Sequence, residues 1–120
     1  MRRFRNITVD HMEYKWLFRY DDYDYIYFPY LLVVPKSSPE TTLRIVFPIK
    51  EHFLLNSGFP AVFQGQQVSI NLNRPFFVSQ IIQWCKKQED LLNRVGYQSL
   101  DGVDILKAIG YEVSNGIFTI

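Results

Sequence analysis

Residues 12–20 read MEYKWLFRY, and this stretch decides the fold. Apolar side chains stand at every second position, and the residues between them are mostly charged. Successive side chains of a β-strand point to opposite sides of the sheet, so this alternation predicts a strand with one buried face. A helix would scatter the same rings around its circumference. The apolar members are Met12, Tyr14, Trp16, Phe18 and Tyr20.

The flanking sequence predicts further strands. Asp10-His11 is a two-residue turn between residues 4–9 and the decisive strand, since both residue types tolerate positive φ. Residues 26–34 (IYFPYLLVV) are apolar on both sides, which indicates a central strand covered on both faces, and Pro29 predicts a bulge or an edge position there. Residues 41–47 alternate again.

A second hairpin is predicted over residues 60–72. Gly65 supplies the positive φ of its turn, and alternating apolar residues follow it. Residues 49–57 fit either a strand or a helix, with strand favoured.

The hydrophobic period changes from two to between three and four after Asn73. Pro75 suits the first turn of a helix, so the spacing predicts one long helix over about 75–95, ended by Gly96. A second helix is predicted over 101–109, capped by Asp101 and stopped by Gly110, with Leu100 on its apolar stripe. Asn115-Gly116 predicts a small terminal hairpin.

These elements predict an α+β fold in a single domain, residues 1–120. A twisted antiparallel sheet of five or six strands carries the long helix of the C-terminal half on one face, and the short helix and the terminal hairpin complete it. The chain length of 120 residues and the 48% apolar content fit one ordinary globular core.

Composition excludes several classes of protein. Cys85 is the only cysteine, so no internal disulfide can form, and the longest apolar run is too short for the roughly 20 residues of a membrane span. We therefore expect a soluble, cytoplasmic protein that does not bind membranes. The net charge of +1 is evenly spread, which argues against nucleic-acid binding because that needs a concentrated basic surface. A winged-helix-like unit around 101–109 is the weaker alternative, since Lys107 is the single basic residue of that helix.

An acidic and aromatic segment follows the decisive strand, and we take it as the first candidate surface for a partner or ligand. Tyrosines offer large, stiff contact area with a polar tip, which interfaces favour. Its carboxylates lack the glycine and the distal glutamate of a calcium loop, so no metal site is predicted. Its members are Asp21, Asp22, Tyr23, Asp24, Tyr25 and Tyr27.

Asn73 and Arg74 form the second candidate site. They stand at the start of the long helix, where free backbone N–H groups attract anions, so they predict a possible anion contact. The competing interpretation is local capping of the chain by asparagine side chains.

No sequence motif indicates catalysis or a cofactor. The two histidines, His11 and His52, lack the spacing of zinc ligands, and Cys85 lies in the middle of the apolar helix stripe rather than beside a base. We therefore predict no catalytic residue, metal or cofactor. The best hypothesis is a small, non-enzymatic, adaptor-like binding domain with a protein partner, or a homodimer. The alternative is an enzyme whose site assembles from scattered residues such as Asp22, His52 and Asn73.

Overall fold

The structure, a computed structural model, describes residues 4–19, 28–48, 58–88 and 91–113. Five strands of this part form one sheet in the order β1-β2-β3-β4-β7, which places β3 at its centre. Neighbouring strands of this sheet run antiparallel, except that β4 and β7 run parallel to each other. The strands are β1 (Arg5–Val9), β2 (Met12–Arg19), β3 (Tyr30–Pro35), β4 (Thr41–Val46) and β7 (Gly96–Asp101).

A second, three-stranded antiparallel sheet has the order β6-β5-β8. Its strands are β5 (Phe59–Phe63), β6 (Gln66–Ile70) and β8 (Tyr111–Val113). The α+β class and the mostly antiparallel pairing are confirmed, but the strands divide between two sheets. The β5–β6 hairpin pairs with β8, and β7 takes the free edge of β4 instead.

Two helices follow the small hairpin: α1 (Pro75–Lys87) and α2 (Gly102–Ile109). The first ends earlier than its hydrophobic spacing predicts. Gln88 takes an extended conformation, its backbone N–H donates to the Cys85 carbonyl, and its side-chain amide donates to the Trp84 carbonyl. These bonds satisfy the last carbonyls of the helix. A separate 3₁₀ turn, Leu91–Asn93, then buries Leu91 and so continues the apolar spacing outside α1.

Both predicted hairpin turns are confirmed. Asp10 and His11 have φ values of 50° and 68°, and Gln64 and Gly65 have values of 52° and 80°. Positive φ at both central residues matches the twist of the flanking strands, as two-residue hairpins require. Asp101 is also the predicted cap of α2: its Oδ1 accepts from the N–H groups of Val103 and Asp104.

The edge strand β7 was not anticipated. Its inward positions are Gly96, Gln98 and Leu100, so a single large apolar residue marks its buried side. Gln98 is accommodated there because its side-chain amide donates to the Leu91 carbonyl at 3.0 Å. Leu100 consequently belongs to this strand and not to the stripe of α2.

One face of the five-stranded sheet, called here the inner face, forms the core. Its central side chains are at most 2% exposed and belong to one cluster with the buried residues of α1. α1 also contacts the small sheet: the Tyr111 hydroxyl bonds to the Gln80 side chain, and the Phe77 and Tyr111 rings meet at 6.3 Å. The central inner-face residues are Trp16, Phe18, Leu31, Val33, Leu43 and Ile45.

Several predictions lie outside the described residues: the structure of 49–57, the Asn115-Gly116 hairpin and the acidic-aromatic segment. Within the described ranges, neither helix has the length and apolar content to cross a membrane.

Candidate functional site

The opposite face of the five-stranded sheet, called here the outer face, contributes no side chain to the core cluster of the described residues. Alternation fixes which residues point there. Lys15 lies opposite Val34, Leu17 opposite Leu32, and Leu32 in turn opposite Arg44. The other members are Asn6, Thr8, Glu13, Arg19, Tyr30, Thr42, Val46, Tyr97, Ser99 and Asp101.

The centre of the outer face is apolar. Leu17, Leu32, Val34 and Val46 are half-buried by their neighbours on the sheet and remain partly open to solvent. None of them packs against the core cluster. Apolar side chains on an open face form a surface that can dock a partner.

Three cations surround this apolar centre: Lys15, Arg19 and Arg44. None of them forms an ion pair with any described residue. The Arg44 guanidinium instead stacks 4.5 Å from the centre of the Tyr30 ring, a cation–π contact that orients it. Among the described residues, therefore, no ion pair compensates the charge of these three cations.

The two carboxylates of the outer face are engaged. Glu13 lies 3.9 Å from the ammonium of Lys36, and Asp101 caps α2. The N-terminal dipole of a helix is a favourable environment for a carboxylate, so the Asp101 charge is partly compensated. Counted over the described residues, the outer face thus carries more uncompensated positive than negative charge.

A hollow of about 380 Å³ lies at one end of the outer face. Phe28, Val46 and Pro48 form its apolar wall, and the Phe28 side chain is 43% exposed. β2 ends at Arg19 at this same end, and β3 begins there at Tyr30. We call it the loop end of the sheet, because the segment 20–27 connects these two strands.

The acidic-aromatic segment from Asp21 to Tyr27 lies outside the described residues, and its binding role stays a prediction. The described residues on both sides of it, Arg19 and Phe28, belong to the loop end. A partner on the hollow would thus stand next to the points where this segment leaves and rejoins the described chain.

Asn73 and Arg74 occupy the start of α1, as predicted. The Asn73 N–H donates to the Asn71 side-chain oxygen at 3.0 Å, and its carbonyl accepts from the Arg5 guanidinium at 2.8 Å. Arg74 precedes the helix in an extended conformation, and its side chain makes no capping bond. These contacts support the turn into the helix, and the anion contact stays a prediction.

The described residues contain no group of three or more His, Cys, Asp or Glu side chains that could hold a metal ion. Cys85 is 1% exposed, and burial raises the pKa of its thiol to about 12. A thiol of this kind stays protonated at neutral pH and is a poor nucleophile. Burial also raises the pKa of the Tyr14 hydroxyl, which lines a smaller cleft of about 190 Å³ beside Lys86.

Sequence reasoning missed the outer face as a site. Apolar residues fill both the odd and the even positions of residues 26–34, which we interpreted as a strand covered on both faces. In the described residues, the core cluster unites the inner face with buried residues of α1 and α2, and no outer-face side chain belongs to it. The half-exposed residues Tyr30, Leu32 and Val34 form the other side of this strand.

Comparisons of the chain with protein-family models, with curated proteins and with solved structures find no match.

Proposed function

We propose that the protein is a non-enzymatic binding domain that docks an acidic protein partner on the outer face of the five-stranded sheet. The observation that carries the proposal is the combination of a partly exposed aliphatic centre with three cations that lack ionic partners among the described residues. A partner with acidic groups around an apolar patch would complement both features.

A protein partner fits this surface better than nucleic acid. Binding of single strands relies on aromatic rings that stack on bases, whereas the centre here is built from leucine and valine, and the exposed ring of Tyr97 lies on the edge strand β7. The Tyr30 ring already carries Arg44. Three cations would also neutralise few phosphates, and phosphate neutralisation supplies most of the non-specific affinity for nucleic acids.

A second copy of the chain fits less well. Two identical outer faces would bring together surfaces whose available charges are all cationic, since Glu13 and Asp101 are engaged elsewhere. Facing like charges oppose association. A homodimer through this face is therefore not part of the proposal, and we keep the cytoplasmic location as a prediction.

The test is affinity capture from extract of the native cell with the full chain as bait, followed by titration of each captured protein in purified form. The bait variant carries Lys15→Glu with Arg44→Glu. Lys87→Glu with Lys107→Glu makes the same charge change at exposed positions of α1 and α2 and serves as the control. Reversal of two interface charges should weaken binding about 100-fold, and the control should stay within about threefold of the parent.

Three outcomes would contradict the proposal. They are equal binding of the face variant and the control, release of the captured material by nuclease, and failure of the bait to recover any protein whose binding depends on the outer face. Equilibrium sedimentation of the bait alone tests whether a second copy of the chain binds to the outer face instead. A dimer that the face variant dissociates would show that the face binds its own copy.

A further inference from the structure

We propose that the hollow at the loop end accepts one large apolar side chain of the partner, and that Arg44 binds an acidic residue beside that anchor in the partner's sequence. This inference rests on the proposed function and names the chemistry that its site selects.

The walls of the hollow favour an apolar anchor. Phe28, Val46, Pro48 and Leu100 contribute carbon surface to this hollow of about 380 Å³, which is shallow and open to solvent, so a side chain of the size of leucine or phenylalanine can lie against it. Of the two polar residues at its rim, Asp101 already accepts from the N–H groups at the start of α2. A polar anchor could bond only to the rim side chains of Ser99 and Asp101, while the apolar wall would offer it no bond to replace those it loses to water, which disfavours binding. An apolar one would cover the exposed ring of Phe28.

The position of Arg44 fixes where the acidic group belongs. Arg44 and Val46 lie two residues apart on β4 and point to the same face, so their Cα atoms are separated by roughly 7 Å. An extended partner segment advances about 3.3 Å per residue, so an acid one or two positions from the anchor reaches the guanidinium. Stacking on Tyr30 restricts this guanidinium before binding, which lowers the entropy that a partner must remove.

A few anchor residues, with aromatic side chains and arginine prominent among them, supply most of the affinity of an interface. The remaining cations, Lys15 and Arg19, lie farther from the hollow along and across the strands. Their contribution should be general attraction of an acidic partner, whereas the hollow and Arg44 should select its sequence.

Selection from a displayed library of random twelve-residue peptides tests the inference without a known partner. The immobilised full chain is the target. The enriched peptides should combine Leu, Ile, Met, Phe or Trp with Asp or Glu at one or two positions' distance. Binding of the synthetic peptides, followed by fluorescence anisotropy, should fall at least about tenfold with Val46→Lys and with Arg44→Glu.

Val62→Lys is the matched control. Val62 is a half-buried valine on β5, on the side of the small sheet that faces away from its buried residues, and its substitution should leave peptide affinity unchanged. A charge exchange isolates the ion pair: a peptide whose acid is replaced by lysine should bind the Arg44→Glu protein better than the parent. A merely structural role of Arg44 would not produce this rescue. Thermal unfolding of each variant verifies that it is folded.

The outcomes separate the two proposals. Peptides that lose affinity with Lys15→Glu plus Arg44→Glu, but lack an apolar anchor or tolerate Val46→Lys, would overturn this inference and leave the proposed function standing. Selected peptides that bind all outer-face variants equally, or a library that yields no binder, would count against both.

Discussion

The two faces of the five-stranded sheet are made by the same strands, yet they differ in what they contribute. On β3, Leu31 and Val33 are completely buried on the inner face, whereas Leu32 and Val34 between and after them stay partly open on the outer face. These neighbours are chemically almost identical, because residues 31–34 read LLVV, and only the side of the sheet to which they point differs. The comparison teaches that apolar character alone does not distinguish a core residue from a docking residue; what covers it does.

The largest difference between the faces should appear in stability. Leu31→Ala removes a fully buried side chain, which costs about 2–5 kcal/mol of unfolding free energy. Leu32→Ala removes one that is already partly solvated and should cost about 1 kcal/mol. Urea unfolding followed by tryptophan fluorescence measures both. Equal losses would mean that the outer face is as buried as the core.

The stability of the protein should also depend on pH through Cys85, which is buried in the core cluster. Burial holds the pKa of this thiol at about 12 in the folded protein, above its value of about 8.5 in an unfolded chain. The folded state therefore keeps the proton longer. This contribution to stability is complete below about pH 8.5 and is lost as the pH rises toward 12.

Comparison of the parent with Cys85→Ala isolates this effect. The parent should lose up to about 1.4 kcal/mol more unfolding free energy per pH unit above pH 8.5 than the variant does. The two tyrosines whose pKa burial raises, Tyr14 and Tyr111, act in the same direction in both proteins. Parallel pH profiles of the parent and the variant would contradict burial of the thiol.

A smaller loss of stability should follow removal of the Asp101 carboxylate from the outer face. Asp101→Ala removes both side-chain bonds to the start of α2 and should cost about 1 kcal/mol, while Asp101→Asn should retain most of that stability. Chemical denaturation of the two variants gives the values. If alanine were harmless, the carboxylate would be free, and the positive charge of the outer face would be smaller than we infer.

The smallest expected change in stability is that of Lys15→Glu with Arg44→Glu. These cations have no ionic partner among the described residues, so the main loss is the stacking of Arg44 on Tyr30, and the unfolding free energy should fall by about 0.5–1 kcal/mol. Circular dichroism melts check it. A loss of several kcal/mol would show that these side chains support the fold, and the capture experiment could not then be interpreted as a binding effect.

The sequence predicts most of the fold because its strongest signals are local. The alternation in β2, the paired positive-φ turns, Pro75 and Asp101 each act within a few residues, and the structure bears all of them out. The strand β7 and the division into two sheets depend on which distant edges pair. Local patterns do not contain that information.

The candidate site was harder to predict for the same reason. Leu32 and Val34 have the composition of a core strand, and the availability of Arg44 depends on the absence of a facing carboxylate across β4 and β7. Both properties arise only when the strands are assembled. The segment Asp21–Tyr27, chosen from composition alone, lies outside the described residues and remains a separate hypothesis.

The openness of the outer face is the central claim, and a soluble paramagnetic probe tests it most directly. Methyl NMR of leucine- and valine-labelled full-length protein compares Leu31 with Leu32, and Val33 with Val34, in one spectrum. We predict much stronger relaxation enhancement at Leu32 and Val34 than at their completely buried neighbours. Equal protection of all four residues would contradict the account, because the outer face would then be covered in the free protein.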